Sequence, residues 1–455
     1  MAAPTIAQIL AEFASSLSFN KIPRTTVKQI KNHLLDSLGV GLAGSTQETA
    51  RICYETLAAM EGSPESTVIG EAKRLPAPSA AFINGAAIHS IELDDGRAGA
   101  AVHPGASTLA AALAISERGQ KGGQEFLLAG LIGYEVTFRV AMAMFPHHRR
   151  MGFHPTGTCG SFGAALTAGR LLGLSPAEMV NALGVAGTFA SGVREGKGDA
   201  LMMKRIHGGK AAQNGIFAAL LSKNGFKAPE TIFEGNNGFF RLFSKEYDSK
   251  KMTEGLGEVF VTDQAYYKPY SCCRHFHAPI DSLLELIRKH DLTPGKIDSL
   301  HLKIYKEGTY YGDKDPRNML DAQFSLPFTL AVVLHDGKAL LEQFGEENIH
   351  NKNIKDLASK VTIEFDAALD EEFVKDKKMA HLLEIRCKDG TTLKNRVDYP
   401  RGSDRNPFSD REVIDKFKGL ASMAIPGERV QAILSLWENI ETMTDMNELT
   451  ALLRK

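Results

Sequence analysis

Apolar positions recur at helical spacing over residues 5–17 and 25–43, the second run opening behind Pro23 and closing near Gly44. Residues 77–91 form a small-residue helical run, residues 106–116 a second directly behind a His-Pro-Gly step, and residues 124–144 continue the pattern with Gly133 inside it. Faces rich in Ala and Gly let helices approach closely, so a tight bundle is expected. The segment LLGLSPAEMVNALGVAG carries the clearest boundary. Gly173 ends one helix, Ser175 caps the next, Pro176 takes its first position and Glu178 completes a capping box. Residues 210–223 are helical again, and the first roughly 240 residues hold no convincing strand run.

After Tyr266 the texture changes. SLHLKIYKE (299–307), KVTIEF (360–365) and the runs HLLEIRCK and TTLKNRVDY alternate with period two, the last two joined through the hairpin signal Asp389-Gly390. AQFSLPFTLAVVLHDG predicts a helix from near Pro327 toward Gly337, and two more helical runs follow Ser409. The expected fold is mainly α with an α+β second domain: a large all-helical domain and a smaller domain that begins near residue 270. Spacing leaves open whether the C-terminal helices cap the small domain or return to the large one.

Composition narrows the function. A chain of 455 residues with 43% hydrophobic content supports two to three domains. The net charge is -1, from 53 basic and 54 acidic residues without long blocks, which gives no reason to expect a nucleic-acid or membrane partner. No basic region precedes an apolar core at the start, and no uninterrupted apolar run approaches the ~20 residues of a membrane span, so a cytoplasmic protein is expected. Five cysteines without a CxxC pair argue against a disulfide framework, a zinc site or an iron–sulfur centre. The GxGxxG and P-loop signals are absent too, so neither metal nor cofactor is expected.

Four stretches carry candidate chemistry. In IELDDGRAGAAVHPG (91–105), Asp94 and Asp95 precede a Gly- and Ala-rich loop, and His103 stands before a Pro-Gly helix start whose free N–H groups favour anions. The plainer alternative is a turn and a residue beside a cap. GFHPTGTCGSFGAALTAGR (152–170) repeats the His-Pro-small pattern at His154, although such dipeptides also mark loop boundaries. In MMKRIHGGKAAQNG (202–215), Lys204, His207 and Lys210 crowd a helix entry, where cations oppose the dipole unless an anion lies between them. Lys210 reads as a solvated basic turn, whereas Lys204 follows two methionines that read as buried, a costly place for an unpaired charge. YYKPYSCCRHFHAPID (266–281), at the expected domain junction, carries Lys268, Arg274, His275 and His277. Its vicinal Cys272-Cys273 pair lacks metal-ligand spacing and reads as inert packing. This inventory lacks a nucleophilic-serine motif and suits proton transfer beside substrate carboxylates.

At these stretches, and at AQFSLPF and DRNPFSDREVIDKF, the sequence resembles the MmgE/PrpD family over nearly its whole length. The resemblance implies a helical domain of residues 1–267 and 401–455 with an α+β domain of residues 268–400, and a homodimer without cofactor whose site lies between the domains. It also implies site positions at Asp95, His103, His154, Lys204 and Lys268, with His277 as a further site-region histidine. Asp94, Arg97, His207, Arg274 and His275 join these as substrate-binding candidates. Two departures weigh against decarboxylation: Cys273 stands where decarboxylase-like members carry histidine, and Gly96-Arg97-Ala98 replaces a Trp and a His after the paired aspartates.

The expected activity is therefore a lyase that removes water from a 2-methylcitrate-like hydroxy acid. His103 or Asp95 would take the proton, His154 would protonate the leaving hydroxyl, and Lys204, Lys268 and Arg274 would hold carboxylates. Decarboxylation and epimerisation of a small di- or tricarboxylate are alternatives, as is a non-catalytic carboxylate-binding protein on the same fold.

Overall fold

The computed structural model describes residues 3–60, 62–195 and 202–455. Local chemistry sets the helix ends. Thr5 and Gln8 form a capping box on the Ile6–Ser16 helix, and Ser175 with Glu178 does the same for Pro176–Phe189, where Pro176 has no N–H to leave unsatisfied. Arg24–Ser45, Ala77–Ile88, Pro104–Arg118, Gly123–Ala143, Pro155–Leu171 and His207–Lys223 are further long helices of the bundle. Two of them pack backbone on backbone: a Cβ on Gly209 would lie 1.9 Å from the Phe82 carbonyl oxygen. Only glycine allows that approach. Gly123–Ala143 has the length and hydropathy of a membrane span, yet 94% of its apolar window is packed inside the bundle.

Two helices depart from the predicted ranges for physical reasons. The helix from Ala77 stops at Ile88 because the chain turns into a loop in which Glu92 takes a left-handed φ of 55°. The helix predicted from residue 210 begins at His207, since close packing tolerates Gly208 and Gly209 inside it. The helical half is also not free of strand. β1 (Gly96–Arg97) pairs antiparallel with β2 (Ala265–Tyr266), a two-residue ladder too short to leave an alternating pattern.

Beyond it, β3 (Ile297–Ile304), β4 (Val361–Phe365), β5 (His381–Cys387) and β6 (Thr392–Asn395) form a sheet in the order β4-β3-β5-β6. β3 runs parallel to β4 and antiparallel to β5, and β5 turns into β6 at Asp389-Gly390, where Gly390 has a φ of 88°. Ile297, Leu300, Leu302 and Ile304 share a second core with the helices His277–His290 and Leu326–Asp336. The C-terminal helices Asp410–Ala421 and Gly427–Glu438 return to the first core, where Phe417 and Trp437 are buried.

Loop 89–103 is fastened from both sides. Ser271 Oγ and Gln323 Nε2 donate to the Ile91 carbonyl at 2.7 and 3.2 Å, and Lys416 Nζ donates to the Leu93 carbonyl at 2.9 Å. A loop pinned this way can hold buried charges in fixed positions.

Candidate active site

His103 and His154 each occupy the residue before a helix that begins with proline, and neither side chain caps its own helix. Their imidazoles are therefore available elsewhere. Both line an inner cavity of about 50 Å³ between the two cores, together with Glu92, Lys204, Tyr266, Lys268, Cys273 and Phe324. His154, Lys204, Arg149 and Phe324 also line a wider outer cleft that adjoins it.

Buried charge is matched on the cavity floor. Lys204 Nζ bonds to Glu92, and Lys268 Nζ lies 3.4 Å from Glu92 and 3.5 Å from Asp94. Burial alone would raise the Glu92 carboxyl, but the Lys204 and Lys268 ammoniums overturn it and hold the group at about 2. Burial works against the Asp94 carboxylate as well. His103, His89 and Lys268 outweigh it, so the carboxyl sits well below its ordinary range. Lys268 is raised although burial opposes its charge, because Glu92 and Asp94 face it.

The histidines are held neutral. Burial pushes His103 down to about 3 against the pull of Asp94, and burial with the neighbouring His207 depresses His154 well below the ordinary imidazole range. His103 Nδ1 lies 2.6 Å from the Asp95 backbone carbonyl. A carbonyl only accepts, so Nδ1 carries the proton and Nε2 keeps its lone pair. His154 Nδ1 meets His207 Nδ1 at 2.9 Å, and the His89 ring bridges the two loops, with centroids 5.4 Å from both His103 and His154. His89 Nδ1 lies 2.5 Å from Asp94. The arrangement is an unprotonated base beside an imidazole pair, over a floor of paired lysines and carboxylates. Such a site can move protons to and from carbon.

The predicted residues divide. His103, His154, Lys204, Lys268 and His207 meet here. Met202 and Met203 before Lys204 are half-buried rather than buried. Of the paired aspartates it is Asp94 that faces Lys268, a correction to the expectation for Asp95. The Asp95 carboxylate turns beneath the loop, 3.0 Å from His33 Nδ1, and accepts from the Gly105 N–H at 3.3 Å, so it braces the helix start. His277 is also corrected. It is fully buried outside the cavity, accepting from Arg274 at 3.1 Å and donating to the Cys272 carbonyl, as the first residue of its helix.

Arg274 lines the cavity but spends its terminal nitrogens on the carbonyls of Tyr267, Pro400 and Arg401, stacked over Tyr266. It clamps two segments together. Arg97 lines the cavity edge, bonded to Gln264 and its neighbour's carbonyl, and burial lowers it to about 10. His275 lines the wall, bonded to Tyr305 Oη at 2.7 Å. Cys273 lies in the wall with its thiol pushed up by burial, so it stays protonated.

Glu92, His89, Arg149 and Arg194 were not singled out from sequence. Glu92 stands two residues before the aspartate pair, and that position was its one available signal, since both lysines it meets lie far along the chain.

The MmgE/PrpD N-terminal domain model matches residues 8–252 and the MmgE/PrpD C-terminal domain model matches residues 270–442. Over 98% of its length the chain is 29% identical to a cis-aconitate decarboxylase-like protein of Aspergillus oryzae, covering 96% of that protein. Over the same share it is 28% identical to the cis-aconitate decarboxylases of Aspergillus terreus and Homo sapiens, covering 95% and 94% of them.

Proposed function

The chain belongs to the MmgE/PrpD family, and on that premise we propose that it is a lyase acting on a small di- or tricarboxylate through proton transfer in the inner cavity. The observation that carries the proposal is the His103 ring, tied back through Nδ1 and lining the cavity with Nε2 unprotonated. In this reading Nε2 takes a proton from carbon beside a carboxylate, or returns one once charged. Lys204 and Lys268 offset the negative charge that develops there, and the His154–His207 pair passes the second proton.

The relatives' names favour loss of carbon dioxide as the reaction. The electron pair of the breaking C–C bond then moves into the substrate skeleton, and an imidazole that has first taken a proton from solvent delivers it to complete the product and is neutral again. Loss of water, expected from the sequence departures, stands as the second reading. A specific observation favours it: Cys273, a neutral buried thiol, occupies the wall where the family resemblance implies an imidazole in decarboxylase-like members.

Proton NMR with cis-aconitate and with 2-methylcitrate tests the choice. Conversion of cis-aconitate to a product with one carboxylate fewer supports the carboxy-lyase, and loss of water from 2-methylcitrate supports the hydro-lyase. Consumption of neither would move the weight to another carboxylate or to binding without turnover.

A further inference from the structure

Above the cavity floor stands a cationic feature that the proposed proton transfer does not use. Arg149 Nη2 donates to Tyr311 Oη at 3.0 Å, and Arg194 Nη2 reaches the same oxygen at 3.4 Å. Main chain sets the two side by side. Phe153 bridges Val193, the Arg194 N–H donates to the Gly152 carbonyl at 2.8 Å, and Arg194 Nη1 contacts the Arg149 carbonyl at 3.5 Å.

Neither guanidinium has an ion-pair partner among the described residues. Glu307, the acidic residue behind this wall, gives one oxygen to Arg150 at 2.8 Å; its other oxygen has no hydrogen-bond partner among the described residues, and its charge favours the nearby Arg149 cation without bonding to it. Of the carboxylates at the outer mouth, Asp321 pairs with Arg317 at 3.4 Å and Asp313 accepts from the Asp315 N–H, while Glu195 is exposed. Tyr311 supplies no charge, because burial pushes its phenol up and keeps it protonated. Arg149 Nε is buried without an acceptor, and Arg149 in turn lowers Arg194.

The lysines of the floor are already matched by Glu92 and Asp94. Among the described residues no carboxylate is bonded to these two adjacent guanidiniums, which repel each other in a partly desolvated wall with donors in the fork that suits a carboxylate. Arg149 lines both the inner cavity and the outer cleft, as do His154 and Lys204. The pair therefore flanks the proton-transfer groups.

We propose that Arg149 and Arg194 form a subsite that grips one substrate carboxylate remote from the reacting carbon. The inference rests on the lyase reading only for which end of the substrate reacts.

Isothermal titration with two unreactive acids tests it: tricarballylate, and glutarate, which shares its chain but lacks the middle carboxylate. The wild-type protein is expected to bind tricarballylate about tenfold or more tightly than glutarate, as one well-placed charge-assisted contact provides. Arg149→Gln and Arg194→Gln should each remove most of that preference while glutarate affinity stays within about twofold. Equal affinities in the wild type, a preference kept in both variants, or equal loss of both acids would overturn the subsite. Because neither acid turns over, a preference for tricarballylate in a protein that consumes no substrate would sink the lyase reading and leave the subsite standing. Turnover without the preference would do the reverse.

Discussion

The floor and the wall of the cavity treat positive charge in opposite ways. On the floor, Lys204 and Lys268 meet Glu92 and Asp94 in a buried network. On the wall, Arg149 and Arg194 share one neutral phenol. A buried pair must be complete to be tolerated, so the floor's charges serve the fold as well as the chemistry. An incomplete set stores repulsion that an arriving anion relieves. The comparison separates groups that the protein satisfies for itself from groups left to be satisfied by substrate.

The largest expected effect lies on the floor. Lys268→Met would leave Glu92 and Asp94 with Lys204 as their one remaining lysine, beside neutral imidazoles, and urea denaturation should show a loss of about 3–5 kcal/mol, the usual cost of breaking a buried pair from one side. A variant as stable as the wild type would break the account of the floor.

The neighbouring aspartates sharpen the contrast next. Asp94→Asn should lower kcat per folded molecule about 10²-fold, since it faces the lysine and the imidazoles, with a stability loss smaller than that of Lys268→Met because Glu92 still pairs that lysine. Asp95→Asn should instead cost about 1–3 kcal/mol through His33 and the Gly105 N–H, with activity per folded molecule nearly kept. The opposite assignment of effects would reverse their roles.

The pH dependence follows from the same burial. His103, lowered to about 3, stays unprotonated through the neutral range, so the acid limb of kcat/KM for the free enzyme should lie below about pH 4 rather than near the ordinary 6.5. Stability has its own sign. Glu92 is depressed from 4.5 to about 2, so its contribution is complete above pH 4.5 and is lost as pH falls toward 2. His103, depressed from 6.5, likewise contributes above pH 6.5 and loses that contribution as pH falls toward 3.

The smallest effect belongs to the wall. Arg194→Gln removes repulsion and, among the described residues, no ion pair, so the unfolding free energy should stay within about 0.5 kcal/mol of the wild type. A large loss would mean that the wall, like the floor, is charge the fold requires.

Much of this was legible from residue order. The His-Pro steps, the Ser175–Glu178 capping box and the Asp389-Gly390 hairpin are local signals whose physics acts over a few residues, and the structure forms each of them. His103 and Lys204 could be named because a histidine before Pro-Gly and a lysine at a helix entry are unusual in themselves. Other features depend on long-range placement. Which aspartate faces the site is fixed by Glu92's left-handed turn and by Ser271, Gln323 and Lys416 gripping the loop from distant segments. Arg149 sits in His147-His148-Arg149-Arg150, a basic cluster with no local mark of a site, and the Phe153–Val193 bridge brings Arg194 beside it. His277 and Arg274 misled because a charged cluster at a domain junction serves equally well as a clamp, and here carbonyls claim the guanidinium.

The central claim is that His103 moves the proton. Wild-type protein and His103→Ala should be compared in heavy water with whichever carboxylate the protein consumes, following solvent deuterium into the substrate and product C–H positions by NMR. The account predicts deuterium at one carbon with the wild type, and a rate about 10²–10⁴-fold lower in a folded His103→Ala variant. Turnover and deuterium transfer at the wild-type rate in that variant would contradict it.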